Sequence, residues 1–369
     1  MMDLMKQIVC ETIDLWAKQG TIDIVLETSD LMMTIILACV FGRQNENPLI
    51  NYKDKGEIRQ MKLGQALSTN LGRAVEREFQ AYLILFPELF PYSLSNFDQE
   101  VQYNAEQVIE YIRKLIQIKR ISFAQTGHYE GDDLLSVLLQ DEVFQDSDQM
   151  IIDECITFFI AGSQTTAVTI SNFLCYIAQS QEYEKKIRWE FGKLLYNYGM
   201  DIQKLTKELD LNKIEEFEYL KFCFYETLRI EPPVIISSSV KLTEDQEISG
   251  VIIKHDDMLI VNLHQIHHNK DQWIDDDKFI PERFDPQSKY YVTPAGTQRN
   301  QFSFVPFLGG KRVCLGKTFA ENAFKTIVPL LMNNYKFLFC DDKQKSQKPF
   351  NNALMFKRPQ VYMKLERIN

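Results

Sequence analysis

Apolar residues recur at helical spacing over long stretches of this chain. The pattern predicts helices over Lys6–Gln19 and Asp23–Phe41, the second ending at Gly42. Residues 45–55, polar and holding Pro48, read as a loop, and helical spacing returns over Leu63–Leu85. Two prolines break that pattern within FPELFPYSL at 86–94. Glu100–Phe123 is strongly periodic with a basic end, and a loop follows through residues 124–133. From residue 146 to Ser180 the chain is too long and too apolar for a surface helix, so this segment is predicted to cross the core. Gln181–Tyr198 is amphipathic, and another helical stretch runs from Leu211 to the paired prolines at 232 and 233. Between there and Asn269, apolar and polar residues alternate with turn signals, which predicts short strands and hairpins. A last long helix is predicted over Lys317–Tyr335. The expected class is mainly α with small β-sheets.

Composition narrows the functions. A net charge of −10 gives nucleic-acid binding no electrostatic support. Seven cysteines, an odd number without any CxxC pair, read as thiols of a reducing compartment. No basic region precedes a long apolar run at the start, and LMMTIILACVFG is too short to span a bilayer. The expectation is a soluble chain with no transmembrane segment.

The most informative stretch is FLGGKRVCLG, Phe307–Gly316. Cys314 stands among glycines, with Arg312 two residues before it and the last long helix directly after. Glycines permit tight turns and close approach to a flat ligand. A thiolate near a helix N-terminus gains from exposed amide donors, and the Arg312 charge adds to that. A buried free cysteine ahead of a helix is the plain alternative. In the long core segment stands AGSQTT, Ala161–Thr166. Gly162 thins the helix and Thr165 and Thr166 add hydroxyls to an apolar interior; a helix–helix contact with back-bonded threonines explains these equally well. Glu226 and Arg229, three apart on one helix face, are flanked by apolar bulk, and PERF follows at Pro281–Phe284.

Phe-x-x-Gly-x-Arg-x-Cys-x-Gly closely resembles the haem-binding loop of the cytochrome P-450 family, the haem-thiolate monooxygenases. The other motifs resemble that family's signatures in type and order, over residues 161–316. The resemblance implies a P-450-like helical fold as a single domain over 1–369. It implies haem b with Cys314 as axial iron ligand, Arg312 at a propionate, and Phe307, Gly310, Gly316, Ala161 and Gly162 around the cofactor. Thr165 would help deliver protons during oxygen activation, and Glu226, Arg229 and Arg283 would form a structural triad. Phe158, Val234, Ile235, Ile236, Ala353 and Leu354 would line a substrate pocket. The implied partners are O2, a small apolar substrate and an NADPH-dependent reductase.

The sequence departs from the family's pattern at several places. Gln164 stands where the family has an acid, and an amide relays through water but cannot cycle a proton as a carboxylate does. Ser239 occupies the place of a propionate-binding arginine, and no Trp-x-x-x-Arg motif precedes the first helices. The chain therefore reads as lacking the family's N-terminal anchor, first strands and first helices. With an anchor upstream, the resemblance implies the cytosolic face of the endoplasmic reticulum membrane. Gln164 keeps a second reading open, a haem-thiolate isomerase or dehydratase acting on peroxides or epoxides. A third is a truncated, non-catalytic haem-binding or interaction protein. His264, His267 and His268 lack a carboxylate at metalloprotease spacing and read as a loop cluster.

Overall fold

The computed structural model describes residues 1–43, 48–78, 80–89, 91–129, 131–194, 202–352 and 355–368. Helix α1 (Met2–Gln19) leads through strand β1 (Thr21–Asp23) into α2 (Ile24–Phe41). Asp23 caps α2 by accepting from the amides of Val25 and Leu26. The hairpin β2 (Leu49–Asp54) and β3 (Glu57–Lys62) precedes α3 (Leu63–Glu78) and the short α4 (Ala81–Leu85). A Ser95–Asp98 capping box starts α5 (Asn96–Thr126), and α6 (Leu134–Gln140) leads to α7 (Asp148–Gln179). Next come α8 (Gln181–Leu194), α9 (Ile202–Glu208), α10 (Leu211–Glu215) and α11 (Glu218–Ile230). Four short strands follow, β4 (Val240–Lys241), β5 (Gln246–Ile248), β6 (Val251–Ile253) and β7 (Met258–Leu259), before α12 (Leu263–His267). The chain closes with α13 (Lys317–Asn334), β8 (Tyr335–Phe339), α14 (Asp342–Lys345), β9 (Phe350–Asn352), β10 (Met355–Lys357) and β11 (Tyr362–Arg367).

The fold is mainly α with small sheets, as expected. Two expectations are corrected. The stretch read as a loop holds a hairpin in which Ile50, Tyr52 and Met61 are buried while polar neighbours face out. Its turn places Lys55 and Gly56 at φ 50° and 85°, which suits a two-residue hairpin connection. The segment Leu63–Leu85 is two helices, because Gln80 is extended at φ −66° and ψ 133°. Residues 195–198 of the predicted amphipathic helix lie outside the described residues.

Helix α7, 32 residues long, passes between two apolar cores. Its first half packs with α3, α5 and α6, its second half with α1, α11 and α13. Helix α2 lies along it, strongly apolar from Leu31 onward and with most of its polar residues gathered near its start. Among the described residues α2 is the one helix long and apolar enough to cross a membrane, and 67% of it is buried inside the protein. Gly162 marks the close approach: a Cβ there would lie 2.8 Å from Ile36 Cδ1 of α2. Strand β1 pairs with β11, and β11 with β8, so the start of the chain is tied to its end.

One polar network sits inside this apolar frame. Arg229 donates from Nε and Nη2 to the two Glu226 carboxylate oxygens, both at 2.8 Å. Arg283 Nε donates to Glu226 Oε1 at 3.0 Å, and all three side chains are fully buried. The remaining guanidinium donors reach the carbonyls of His267, Asp275, Asp276 and Lys278. Removing one partner of such a buried group leaves an uncompensated charge, at a cost of about 3–5 kcal/mol. Arg229→Ala is therefore expected to abolish soluble folded protein; soluble expression with a parental melting temperature would contradict this.

Candidate active site

The cysteine loop hangs from that network through one imidazole. Backbone N–H of Val305 donates to His267 Nε2 at 3.0 Å, while the His267 carbonyl accepts from Arg229. Two residues on, Phe307 packs beside Phe224 of α11, with ring centroids 6.4 Å apart. The Cys314 amide donates to the Phe307 carbonyl at 2.9 Å and closes the loop. Leu308 and Gly310 turn it at φ 60° and 65°. Gly310 suits that conformation because it lacks Cβ. Cys314 lies exposed three residues before α13, and a Cβ on Gly316 would come within 3.9 Å of its Sγ.

A cavity of about 500 Å³ opens in front of this loop. Phe307, Arg312 and Cys314 line it together with Ala161, Gln164, Thr165 and Thr166 of α7. Its volume falls within the range of small-molecule and cofactor sites. Ile160, Phe224, Leu228, Val234, Ile236 and Leu263 give it apolar walls. The loop and the middle of α7, some 150 residues apart in sequence, thus meet at one space.

The Thr165 hydroxyl donates to the Ala161 carbonyl one turn back at 2.9 Å. That is the back-bonded geometry, and it leaves oxygen lone pairs for a partner in the cavity. Gln164 is buried and donates from Nε2 to Ser68 Oγ at 3.4 Å. A Cβ on Gly162 would point at Ile36 of α2, so the missing side chain admits a helix–helix contact. Among the proposed pocket residues, Val234 and Ile236 line the cavity, whereas Phe158 packs into the core around α2 and α5. Ile235, between the two liners, instead offers its carbonyl to the amides of Leu263 and His264. Ala353 and Leu354 lie outside the described residues. Ser68, Leu71 and Gly72 of α3 also line the cavity. No local pattern distinguishes them in the sequence, because only the packing of α3 across α7 brings them there.

His264 and His267 lie in the short helix α12 and His268 directly follows its end, so the cluster is helical where a loop was expected. His264 and His268 stack at 4.2 Å, and His267 is buried. Among the described residues no cluster of histidine, cysteine and carboxylate groups has the makings of a bare metal site. Burial, and next the Arg229 charge, pushes the His267 pKa down to about 3. The ring therefore stays neutral and can accept from Val305.

The comparisons with known proteins agree with this geometry. The cytochrome P450 family profile matches residues 1–365, so the chain belongs to the cytochrome P450 family. Cytochrome P450 4F5 of Rattus norvegicus is 32% identical over 221 residues, 59% of this chain and 39% of that protein. Leukotriene-B4 omega-hydroxylase 3 of Mus musculus is 30% identical, over 59% of this chain and 39% of its own length. Taurochenodeoxycholic 6 alpha-hydroxylase of Sus scrofa is 25% identical over 75% of this chain and 53% of its own. The chain thus spans about half or less of these relatives. A retinoic acid-bound cyanobacterial CYP120A1 structure superposes with a TM-score of 0.77 at 20% identity, covering 99% of this chain and 73% of that one. Family membership implies a haem cofactor and oxidoreductase chemistry.

The residues present fit a haem. One exposed thiol, one guanidinium for a carboxylate and apolar walls surround a single cavity. The Val305–His267 bond gives a prediction by pH. An unfolded histidine takes up a proton below about pH 6.5, and the folded ring resists until about 3. This stabilisation is complete above 6.5 and is lost as pH falls through that window, by up to ~1.4 kcal/mol per pH unit. His267→Asn, which keeps an acceptor but does not titrate, is expected to lose less stability than the parent between about pH 7 and 5. Urea midpoints measured across that range check it, and parallel curves would contradict it.

Proposed function

We propose that this protein is a haem-thiolate monooxygenase that inserts one oxygen atom of O2 into a small apolar substrate, with electrons from an NADPH-dependent reductase. The observation that carries the reading is the shared cavity of Cys314, Arg312 and Phe307 with Ala161 and Thr165. Bound haem b supplies oxygen activation, and a thiolate ligand favours O–O cleavage. Cys314 is the residue to hold the iron, and Arg312 to neutralise a haem propionate. The stiff turn at Leu308 and Gly310 and the Cys314–Phe307 backbone bond fix where the thiol stands. Apolar side chains of α7, α11 and the segment after Pro233 hold a hydrocarbon substrate and keep bulk water out. Thr165, its own proton given to Ala161, accepts a hydrogen bond from water in the cavity and orients it. The names of the mouse and pig relatives, both hydroxylases, accord with a hydroxylated lipid-like substrate. All seven cysteines are free, in keeping with a reducing compartment such as the cytosolic face of a membrane.

Haem-supplied protein, reduced and exposed to carbon monoxide, tests the reading. The parent is expected to give the red-shifted absorption band of a thiolate-ligated haem. Cys314→Ala should lose that band and product formation while retaining the parental melting temperature of the haem-free chain. A thiolate band that survives in Cys314→Ala would move the ligand elsewhere.

Gln164 supports a second reading, an isomerase or dehydratase acting on peroxides or epoxides without reductase. Turnover of such substrates in the absence of NADPH, with no NADPH-dependent product, would favour it.

A further inference from the structure

A second cavity, of about 380 Å³, lies behind the first, bounded by α2, α3 and the chain around Arg358. Its lining sets the polar side chains of Asp23, Ser29, Asp30, Thr69 and Arg358 beside apolar ones such as Val25, Leu26 and Met33. Two residues, Ser68 and Gln164, line both cavities. The bond between them, 3.4 Å, is longer than the usual N–H···O range, so a weakly joined pair of side chains separates the two spaces.

An independent observation marks the second space as one that suits water. Arg358, only 3% exposed, lines it, and its Nε has no protein hydrogen-bond partner. Glu231 Oε2, on the carboxylate paired with Arg358, also has none. Buried polar atoms of this kind are satisfied by ordered water.

We propose that this second cavity is the proton and water store of the active site, with the Ser68–Gln164 pair as its gate and the Asp30 carboxyl as its titrating acid. The proposal rests on the monooxygenase reading, in which each turnover consumes two electrons and two protons. Of the two acids in the lining, Asp23 is committed: its Oδ1 accepts from the amides of Val25, Leu26 and Val361. Asp30, half-buried one turn from Glu27, is not needed for that cap. Burial raises its pKa above the ordinary carboxylate value, and Lys62 at the end of β3 pulls the other way. Glu27, Asp23, Lys62 and Arg358 are the charged groups around it. In the relay, the Asp30 O–H bond breaks as its proton passes to cavity water. Water gives a proton to the Ser68 oxygen, and Ser68 releases its own hydroxyl proton into the haem-side cavity. Gln164 keeps both amide protons and only holds Ser68 in place. Asp30 is reprotonated from bulk water, so nothing is consumed except that proton.

The test combines a spectroscopic titration with a coupling measurement. Infrared spectra of the haem-free parent should show a carboxylic C=O band that persists above the normal carboxylate range. That band should vanish in Asp30→Asn and persist to higher pH in Lys62→Met. In haem-loaded protein with a reductase, Asp30→Asn and Ser68→Ala should each lower product per NADPH several-fold and raise hydrogen peroxide correspondingly. The carbon-monoxide band should remain unchanged. Gln164→Glu should recover coupling in the Asp30→Asn background. No Asp30-dependent infrared band, or equal product per NADPH in parent and Asp30→Asn, overturns the proposal. A parent without the thiolate band would instead overturn the monooxygenase reading, and the infrared result would still decide whether Asp30 titrates there.

Discussion

Everything on the cysteine side of the molecule depends on one buried carboxylate. Glu226 is held between the guanidinium groups of Arg229 and Arg283, all without solvent contact. Ionic groups buried this way give little net stability, since desolvation offsets most of their attraction. Their effect is geometric. The donors left over after Glu226 is satisfied are spent on the carbonyls of His267, at the end of α12, and of Ile274, Asp275, Asp276 and Lys278, in a stretch with no helix or strand to fix it. Arg299 extends the same logic, donating to the Arg283 carbonyl while its guanidinium lies 4.5 Å from the Trp273 ring centre. Burial among these cations lowers the Arg299 pKa to about 10, which still leaves it charged at neutral pH. A chain path without helix or strand is thereby pinned to the core at several carbonyls, and it leads to the Val305 amide held by His267 at the start of the cysteine loop.

The opposite side of the cavity is built by a different means. Helix α7 runs through two apolar cores, and three of its hydroxyl side chains are kept from disrupting it by bonding within the helix. Ser163, Thr165 and Thr169 each donate to the carbonyl four residues back, those of Phe159, Ala161 and Thr165. These hydroxyls satisfy themselves locally, so they need no partner from α2 or α11. Gln164 does not follow this pattern and reaches across to Ser68 of α3 instead. It is therefore a residue of the α3–α7 contact as much as of the active site.

Legibility in the sequence followed the range of the interaction. Glu226 and Arg229 were readable because a charged pair amid Phe222, Phe224 and Leu228 cannot stay unpartnered if buried. The cysteine loop was readable because its glycines and its following helix are local features. The β2–β3 hairpin was missed because Asn51, Lys53, Asp54 and Lys55 made the stretch look polar, although Ile50 and Tyr52 alternate inward and Lys55–Gly56 makes the turn. Gly162 was read toward the cofactor, yet its missing side chain admits Ile36. A glycine in a core helix signals close approach without saying to what. Ser68, Leu71 and Gly72 carried no signal, because the cavity wall they form exists only when α3 lies across α7.

The two cavities meet a conflict that any site of the proposed kind must resolve. Apolar walls favour a hydrocarbon substrate and exclude the water that would divert reactive oxygen. The same walls deprive the chemistry of protons, and a carboxylate placed among them would be costly to keep ionised. An acid on α7 itself would face both demands at once. Here the polar groups stand instead in a separate space, behind α7 and α3, where Asp23 and Arg358 already have fixed partners. Only Ser68 and Gln164 belong to both spaces, one a hydroxyl able to give and accept a proton and the other an amide that does neither at neutral pH. That division lets a neutral residue occupy position 164 while titratable groups remain one side chain away.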